Sequence, residues 1–171
     1  MNRLLALVLS LTIAGAGFSS LIVAKGDAAP DFSIFHLKGK RFNLADFKGK
    51  KAVFINIFSI TCEPCKEELP FIIKLYKKYS ENIEFVGIDI TDPKKIDVEN
   101  FVKTSGIPYP VCWDLISKTF YTRYIKGGFN MPTSIFIDID GNINEISGVL
   151  KEDEFENILG RLMKSDKKRT D

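Results

Sequence analysis

Ala52-Val53-Phe54-Ile55-Asn56-Ile57-Phe58-Ser59-Ile60-Thr61-Cys62-Glu63-Pro64-Cys65-Lys66-Glu67-Glu68 decides the reading of this chain. The run from Ala52 to Phe58 is almost wholly apolar and reads as a buried strand. Beyond the cysteines, Leu69, Ile72, Ile73, Tyr76 and Tyr79 recur at helical spacing. Cys62 and Cys65 therefore stand where a strand ends and a helix begins. The first turn of a helix offers free N–H groups and the positive end of the dipole, and both favour a thiolate over a thiol. One helical turn brings two cysteines at this spacing within disulfide reach. Pro64 falls in the first turn, where its missing N–H costs little. The stretch reads as a redox switch on a helix N-terminus.

Downstream and upstream stretches extend the pattern. Pro70 lies one turn further into the helix, and Met131-Pro132-Thr133 precedes an apolar strand. Ala29-Pro30-Asp31-Phe32 and Leu44-Ala45-Asp46-Phe47-Lys48-Gly49-Lys50 stand near the N-terminus. Together with Cys62-Glu63-Pro64-Cys65, these features resemble the thioredoxin superfamily, and within it the TlpA/ResA-like thiol–disulfide oxidoreductases, relatives of the AhpC/TSA redoxins. The resemblance covers about Ala28 to Leu162. It implies that Pro70 kinks the active-site helix and that Pro132 forms a cis bond with Met131 facing the sulfurs. One departure is at Ser59 and Thr61, which stand where many relatives carry Trp.

The chain has 171 residues, 45% of them hydrophobic, and a net charge of +2. That suffices for one core of ordinary size and gives no electrostatic case for nucleic acid. Arg3 precedes a stretch, Leu4 to Ala24, that carries no charge. This length suits either a secretory signal peptide or a membrane anchor, and both place the following domain outside the cytoplasmic membrane. The expected organisation is a signal peptide or anchor over 1–26, a thioredoxin-like domain over 27–165 and a frayed polar tail over 166–171.

Within the domain, Asp31 to Asn43 reads as a hairpin turning at Lys38-Gly39-Lys40, with Asn43 capping a short turn. Ile83 to Ile90 reads as a second buried strand. A helix inserted after Thr91-Asp92-Pro93 is expected to run through Ser105, with Ile96, Val98, Phe101 and Val102 inward. A short extended piece, Val111 to Trp113, is followed by a helix over Ile116 to Tyr124, broken at Gly127-Gly128. Strands over 134–139 and 143–149 flank the turn signal Asp140-Gly141. An amphipathic helix over Glu152 to Met163 closes the fold. The fold class is α/β: a thioredoxin-like mixed central sheet flanked by helices, with an N-terminal β-hairpin and an inserted helix.

Cys62, first on the helix, is expected to be the attacking thiolate, and Cys65, one turn inside, the resolving thiol. Glu63, Glu67 and Glu68 crowd the same helical end, and like charge should hold the Cys62 pKa up and favour a reductant. Glu68 matches a glutamate that handles protons in ResA-like proteins; the alternative is a solvated first-turn acid. Glu67 reads as solvated surface. Met131, Pro132, Glu63 and Pro64 form the expected peptide-binding surface, where a cis-proline would present a backbone edge to an extended substrate. Asn56 is expected beneath the cysteines, where its amide would need partners. Cys112 reads as a buried small hydrophobe, with a third redox thiol as the alternative. His36 reads as a hairpin surface residue. A zinc site needs about four ligands, and Cys62, Cys65, Cys112 and His36 lack paired spacing. A four-residue disulfide ring constrains the unfolded chain too little for a purely structural role.

The resulting expectation is an exported thiol–disulfide oxidoreductase, working mainly as a reductant through a mixed disulfide, with no cofactor beyond the Cys62–Cys65 pair and no metal. The resemblance implies apocytochrome c as the disulfide-bearing substrate and a membrane thiol carrier as electron donor. Two alternatives stand beside it. A peroxiredoxin-like peroxidase would have Thr three positions before its reactive Cys, where this chain has Ser59. A non-catalytic metal or haem-delivery module would use the cysteines as ligands.

Overall fold

A computed structural model of the chain describes residues 22–125 and 130–167, with side chains through 163. The proposed leader up to residue 21, the Gly127-Gly128 break and the tail beyond 167 lie outside the described residues.

The Ala52–Phe58 run forms β3 and is buried at every position. It is buried because both faces are covered. Val53, Ile55 and Ile57 point one way, into a cluster with Val86, Ile88, Ile135 and Ile137. Ala52, Phe54 and Phe58 point the other way, towards Phe85, Phe136 and Phe155. This is the period-two alternation of a strand sandwiched between two layers. Around β3 the sheet runs β5-β4-β3-β6-β7. These strands are β4 (Ile83–Asp89), β5 (Val111–Trp113), β6 (Thr133–Ile137) and β7 (Ile143–Ser147). β3 pairs parallel with β4 and antiparallel with β6.

Three helices, α1 (Glu63–Tyr79), α2 (Lys95–Thr104) and α4 (Glu152–Lys167), supply residues to the Phe54 face. The opposite face is covered by a hairpin of β1 (Ser33–Phe35) and β2 (Arg41–Asn43) and by the single turn α3 (Tyr121–Tyr124). Phe32, Phe120 and Tyr124 pack there as an aromatic group, with Phe120 and Tyr124 stacked at 4.4 Å. Gly87 in β4 is required by close packing: a Cβ there would lie 3.1 Å from the Phe58 ring and 3.3 Å from Val111.

The fold class expected from the sequence is the one observed, the inserted helix being α2. Three local expectations need correction. The reach from Ile116 to Tyr124 is helical only over Tyr121–Tyr124. The buried Asp114 carboxylate accepts the N–H groups of Thr119, Phe120 and Tyr121, so the chain wraps around it as a turn. Ile96 is 56% exposed, because the helix begins at Lys95 and turns Val98 inward, and residues two apart face opposite sides. Asn43 occupies the cap position of the 3-10 turn Leu44–Asp46 without capping it by side chain. Asp31 Oδ1 accepts the Ala45 N–H instead, while Asn43 Nδ2 donates to Asp46.

Candidate active site

The site lies at the end of β3. Ser59 N-terminally closes a turn in which the Cys62 N–H donates to the Ser59 carbonyl at 3.2 Å. Cys62 is the N-cap of α1, and Pro64 lies at its second position. Cys62 Sγ accepts the Cys65 N–H at 3.2 Å, and the two sulfurs are joined as a disulfide with Cα atoms 5.3 Å apart. Cys62 is half-buried and Cys65 is buried, in the order expected of an outer and an inner sulfur.

The register between β3 and β6 carries the Met131–Pro132 segment to the same place. Ile57 pairs with Thr133, so the residue before Thr133 lies beyond that pair, at the end of β3 where the cysteine turn starts. The Met131–Pro132 peptide bond is cis. Cys62, Cys65, Ile60, Met131 and Trp113 all belong to one apolar cluster. The sheet thus brings Met131 and Pro132 to the disulfide end of the molecule from 66 or more residues away in sequence.

The three glutamates of the helix end divide into different environments. Glu63 is exposed and paired with Lys66 at 2.7 Å, a contact of little energetic weight in water. Glu67 is exposed. Glu68 is 2% exposed and sits on the buried stripe Cys65, Glu68, Ile72, Leu75. Its Oε1 accepts the Leu150 N–H at 2.7 Å, and its buried Oε2 has no hydrogen-bond partner. Burial pushes this carboxyl up to about 7, the Leu150 N–H opposing. The alternative of a solvated acid therefore fails for Glu68, and the expected acidic crowd reduces to one buried carboxyl near neutrality and two surface residues.

Asn56 is buried on the same sheet face as Phe54 and Phe58, and lines a small cavity with Cys65, Leu69, Phe101 and Tyr109. Its Nδ2 has no hydrogen-bond partner. Cys112 is wholly buried with a free thiol, which burial pushes up to about 12, far from a reactive thiolate. His36 is half-buried, bridges to Cys112 through its backbone, and has its pKa lowered by burial and then by Lys38 and Lys40. Among the described residues, no three His, Cys, Asp or Glu side chains converge as metal ligands.

Two acids at this end escaped the sequence reading. Asp89 closes β4 and is fully buried; Asp92, three residues later, is 5% exposed. Asp92 Oδ2 accepts the Ile60 N–H at 2.9 Å, directly behind the cysteine turn. Burial and the neighbouring Asp92 push Asp89 up to about 8. Burial opposes ionisation of Asp92 as well, but bonds from Asp89, the Ile60 N–H and the Ser59 hydroxyl together hold it below the usual carboxylate range. The available signal was an apolar strand, Phe85 to Ile90, interrupted by an acid at Asp89. A charged residue inside a buried run calls for a partner.

The AhpC/TSA family pattern matches residues 25–146. The thiol–disulfide oxidoreductase ResA of Bacillus thuringiensis subsp. konkukian is 39% identical over 139 residues, covering 80% of this chain and 78% of the relative. The protein of the same name from Bacillus subtilis is 33% identical over 132 residues, covering 76% and 71%. Among solved structures, a thiol:disulfide interchange protein of the thioredoxin family from Chlorobium tepidum superposes with a TM-score of 0.68 at 34% identity. It covers 82% of this chain and 98% of its own. The exposed lipoprotein thioredoxin of Streptococcus pneumoniae gives a TM-score of 0.63 at 26% identity, covering 77% of this chain and 99% of its own.

Proposed function

The chain belongs to the AhpC/TSA family and is a thiol–disulfide oxidoreductase of the ResA-like kind, and from that premise we propose that it acts outside the cytoplasmic membrane as a reductant of protein disulfides. The single observation that carries the direction is the modest support around Cys62. The described contacts to its sulfur are the disulfide and one N–H, from Cys65, and the nearby Lys66 ammonium is paired with Glu63. A thiolate stabilised by little more than a helix N-terminus gives a reduced form that yields its electrons readily.

The reaction runs in two exchanges. The Cys62 thiolate attacks one sulfur of a substrate disulfide, forming a Cys62–substrate bond while the second substrate sulfur leaves as a thiolate and takes a proton. Cys65, one turn inside, loses its proton and attacks Cys62, breaking the Cys62–substrate bond, so that the sulfur first attacked leaves as a thiolate and takes a proton while the Cys62–Cys65 disulfide closes. Glu68, one turn further on the same stripe and titrating near neutrality, is suited to accept that proton. Cis-Pro132 and Met131, with Glu63 and Pro64 opposite, form the surface on which an extended substrate segment lies.

Apocytochrome c, before haem attachment, is the proposed substrate, and a membrane thiol carrier the proposed donor of electrons. The uncharged stretch Leu4 to Ala24 supports export, as a cleaved signal or an anchor over 1–26, with the catalytic domain over 27–165 and a polar tail over 166–171. No described helix is long and apolar enough to cross a membrane. The name of the pneumococcal relative, an exposed lipoprotein, agrees with an extracytoplasmic site. The peroxidase alternative gains nothing from Ser59, whose buried hydroxyl is bonded to Thr61.

The test of direction is equilibration of the Cys62–Cys65 pair against glutathione. A reductant poises nearer the ~−270 mV of thioredoxin than the ~−120 mV of a strong oxidant. A value at the oxidising end would make the protein a disulfide donor. A reporter fused after Asp171 tests location, and activity confined to the cytoplasm would contradict export.

A further inference from the structure

Behind the cysteine turn, the Asp89 and Asp92 side chains face each other. Asp89 lies in register with Phe58 of β3 and Trp113 of β5, so it occupies the centre of the sheet at its active-site end. By strand alternation it points to the face that carries Phe85 and Phe58, the face covered by α1. Its Oδ1 accepts two N–H groups, from Thr91 at 3.1 Å and Asp92 at 2.9 Å. Its Oδ2 is buried and receives no bond from any N–H or hydroxyl. The group that Oδ2 can reach is the Asp92 carboxylate. Two ionised carboxylates cannot share such a site, but one proton between them supplies the bond that Oδ2 lacks.

Asp92 passes this arrangement to the cysteine turn. Its Oδ2 takes the Ile60 N–H, and the Ser59 hydroxyl donates to it. Ser59 Oγ in turn accepts the Thr61 N–H at 3.1 Å and lies 2.8 Å from Thr61 Oγ1. The Asp92 carbonyl is fixed by Trp113 Nε1 at 2.7 Å. All three residues before Cys62 are therefore held, directly or through Ser59, by Asp92.

We infer that Asp89 and Asp92 are a proton-sharing pair that positions the Ser59–Cys62 turn, so that loss of the shared proton is felt at Cys62. While the pair keeps its proton it carries one negative charge; when it loses it, a second charge arises behind the turn that bears the thiolate. Like charge disfavours the thiolate, and by reciprocity the thiolate makes the pair hold its proton more tightly.

From α1, which covers this face, come Glu68, buried and raised to about 7, and the surface pair Glu63–Lys66, so Glu68 is the other group near the sulfurs that titrates close to neutrality. From β3 the turn presents Phe58, Ser59 and Thr61, none of them charged, and then Cys62. From β5 come Trp113 and, through its N–H to the Asp89 carbonyl, Asp114, whose carboxylate is occupied by Ser117 and the N–H groups of residues 119–121. Cys112 is the neighbour of Ile88 and keeps its proton. Lys95 at the start of α2 pairs with Glu99 at 3.4 Å. Among the described residues no ion pair involves Asp89 or Asp92.

Asp89 and Asp92 are positioning residues for the exchange proposed above, and the test separates the two claims. The full chain, labelled with carbon-13 at the aspartate carboxyls, is titrated by NMR as the disulfide and after chemical reduction. One aspartate signal is expected to titrate above neutrality, with its midpoint at higher pH in the reduced protein, and Asp89→Asn is expected to remove it. The same variant should remove the step above neutrality from the pH profile of Cys62 alkylation and lower its midpoint by roughly half a unit, while the contribution of Glu68 near pH 7 stays and is removed separately by Glu68→Gln. If no aspartate titrates above neutrality, or its midpoint is the same in both redox states, the inference fails. An alkylation profile unchanged by Asp89→Asn would also overturn it, leaving a purely structural role. Should Asp89→Asn not fold, the two wild-type titrations decide alone. Failure of the native protein to reduce a disulfide peptide would defeat the proposed function while leaving these titrations valid.

Discussion

Two buried acid sites flank the disulfide, and they solve burial in opposite ways. Glu68 comes from the helix and stands alone in an apolar stripe with one N–H, from Leu150, on one oxygen. Asp89 comes from the sheet and leans on a second carboxyl, with two N–H groups on its other oxygen. Both are held towards the neutral form by desolvation. Glu68 ionises as an individual, near pH 7, beside the inner sulfur. Asp89 and Asp92 ionise as a unit, behind the outer one. The difference teaches that the same cost of burying a carboxylate can yield a proton acceptor on one side of a site and a structural anchor on the other.

The largest effect expected from breaking this contrast is at Glu68. Glu68→Gln keeps an oxygen for the Leu150 N–H and removes the titration. Resolution by Cys65 should slow by at least about tenfold, within the range for loss of a general base. Attack by Cys62 should be less affected, which stopped-flow measurement of mixed-disulfide formation and decay separates. Equal slowing of both steps would show that Glu68 serves the fold rather than the proton.

A second consequence is the pH dependence of stability. The folded protein holds the Glu68 proton more tightly than the unfolded chain does. Stability contributed by that proton is therefore present below about pH 4.5 and lost as pH rises to about 7. Denaturant titrations across this window should show that fall in the native protein and a shallower one in Glu68→Gln. Parallel curves would place the carboxyl in water.

Asp92→Ala probes the other side. It strips the Ile60 N–H of its acceptor and leaves Asp89 without its partner, a change worth about 1–3 kcal/mol of stability. Chemical denaturation measures it, and a loss close to zero would mean that the turn does not depend on the pair. The smallest effect belongs to Cys112→Ser, about 1 kcal/mol of stability with turnover retained. If that variant alone stops turnover, the protein uses three thiols.

Most of the framework was legible in sequence because it rests on local, periodic signals. The apolar run to Phe58, the Cys-x-Pro-Cys step into a helix, and the stripe Phe155, Ile158, Leu159, Leu162 each announce one element. The site was legible where chemistry is written in adjacent residues, as at Cys62 and Cys65. It was not legible where a long-range contact decides the chemistry. The resemblance singles out Glu68, but spacing alone leaves it a solvated acid near the helix start, and it is Leu150 and the packing of α1 that bury it. Asp92 looks like a helix start, and only the parallel pairing of β3 with β4 carries it behind Ile60. The helix at Tyr121–Tyr124 is shorter than its sequence suggests for the same reason, since Asp114 takes the N–H groups that a longer helix would use.

The central claim, that Cys62 attacks and Cys65 resolves, is tested most directly by non-reducing gels of the Cys65→Ser and Cys62→Ser variants incubated with disulfide-bearing substrate. Cys65→Ser should accumulate covalent adducts that disappear on reduction, and Cys62→Ser should form none. Adducts with Cys62→Ser and none with Cys65→Ser would reverse the assignment.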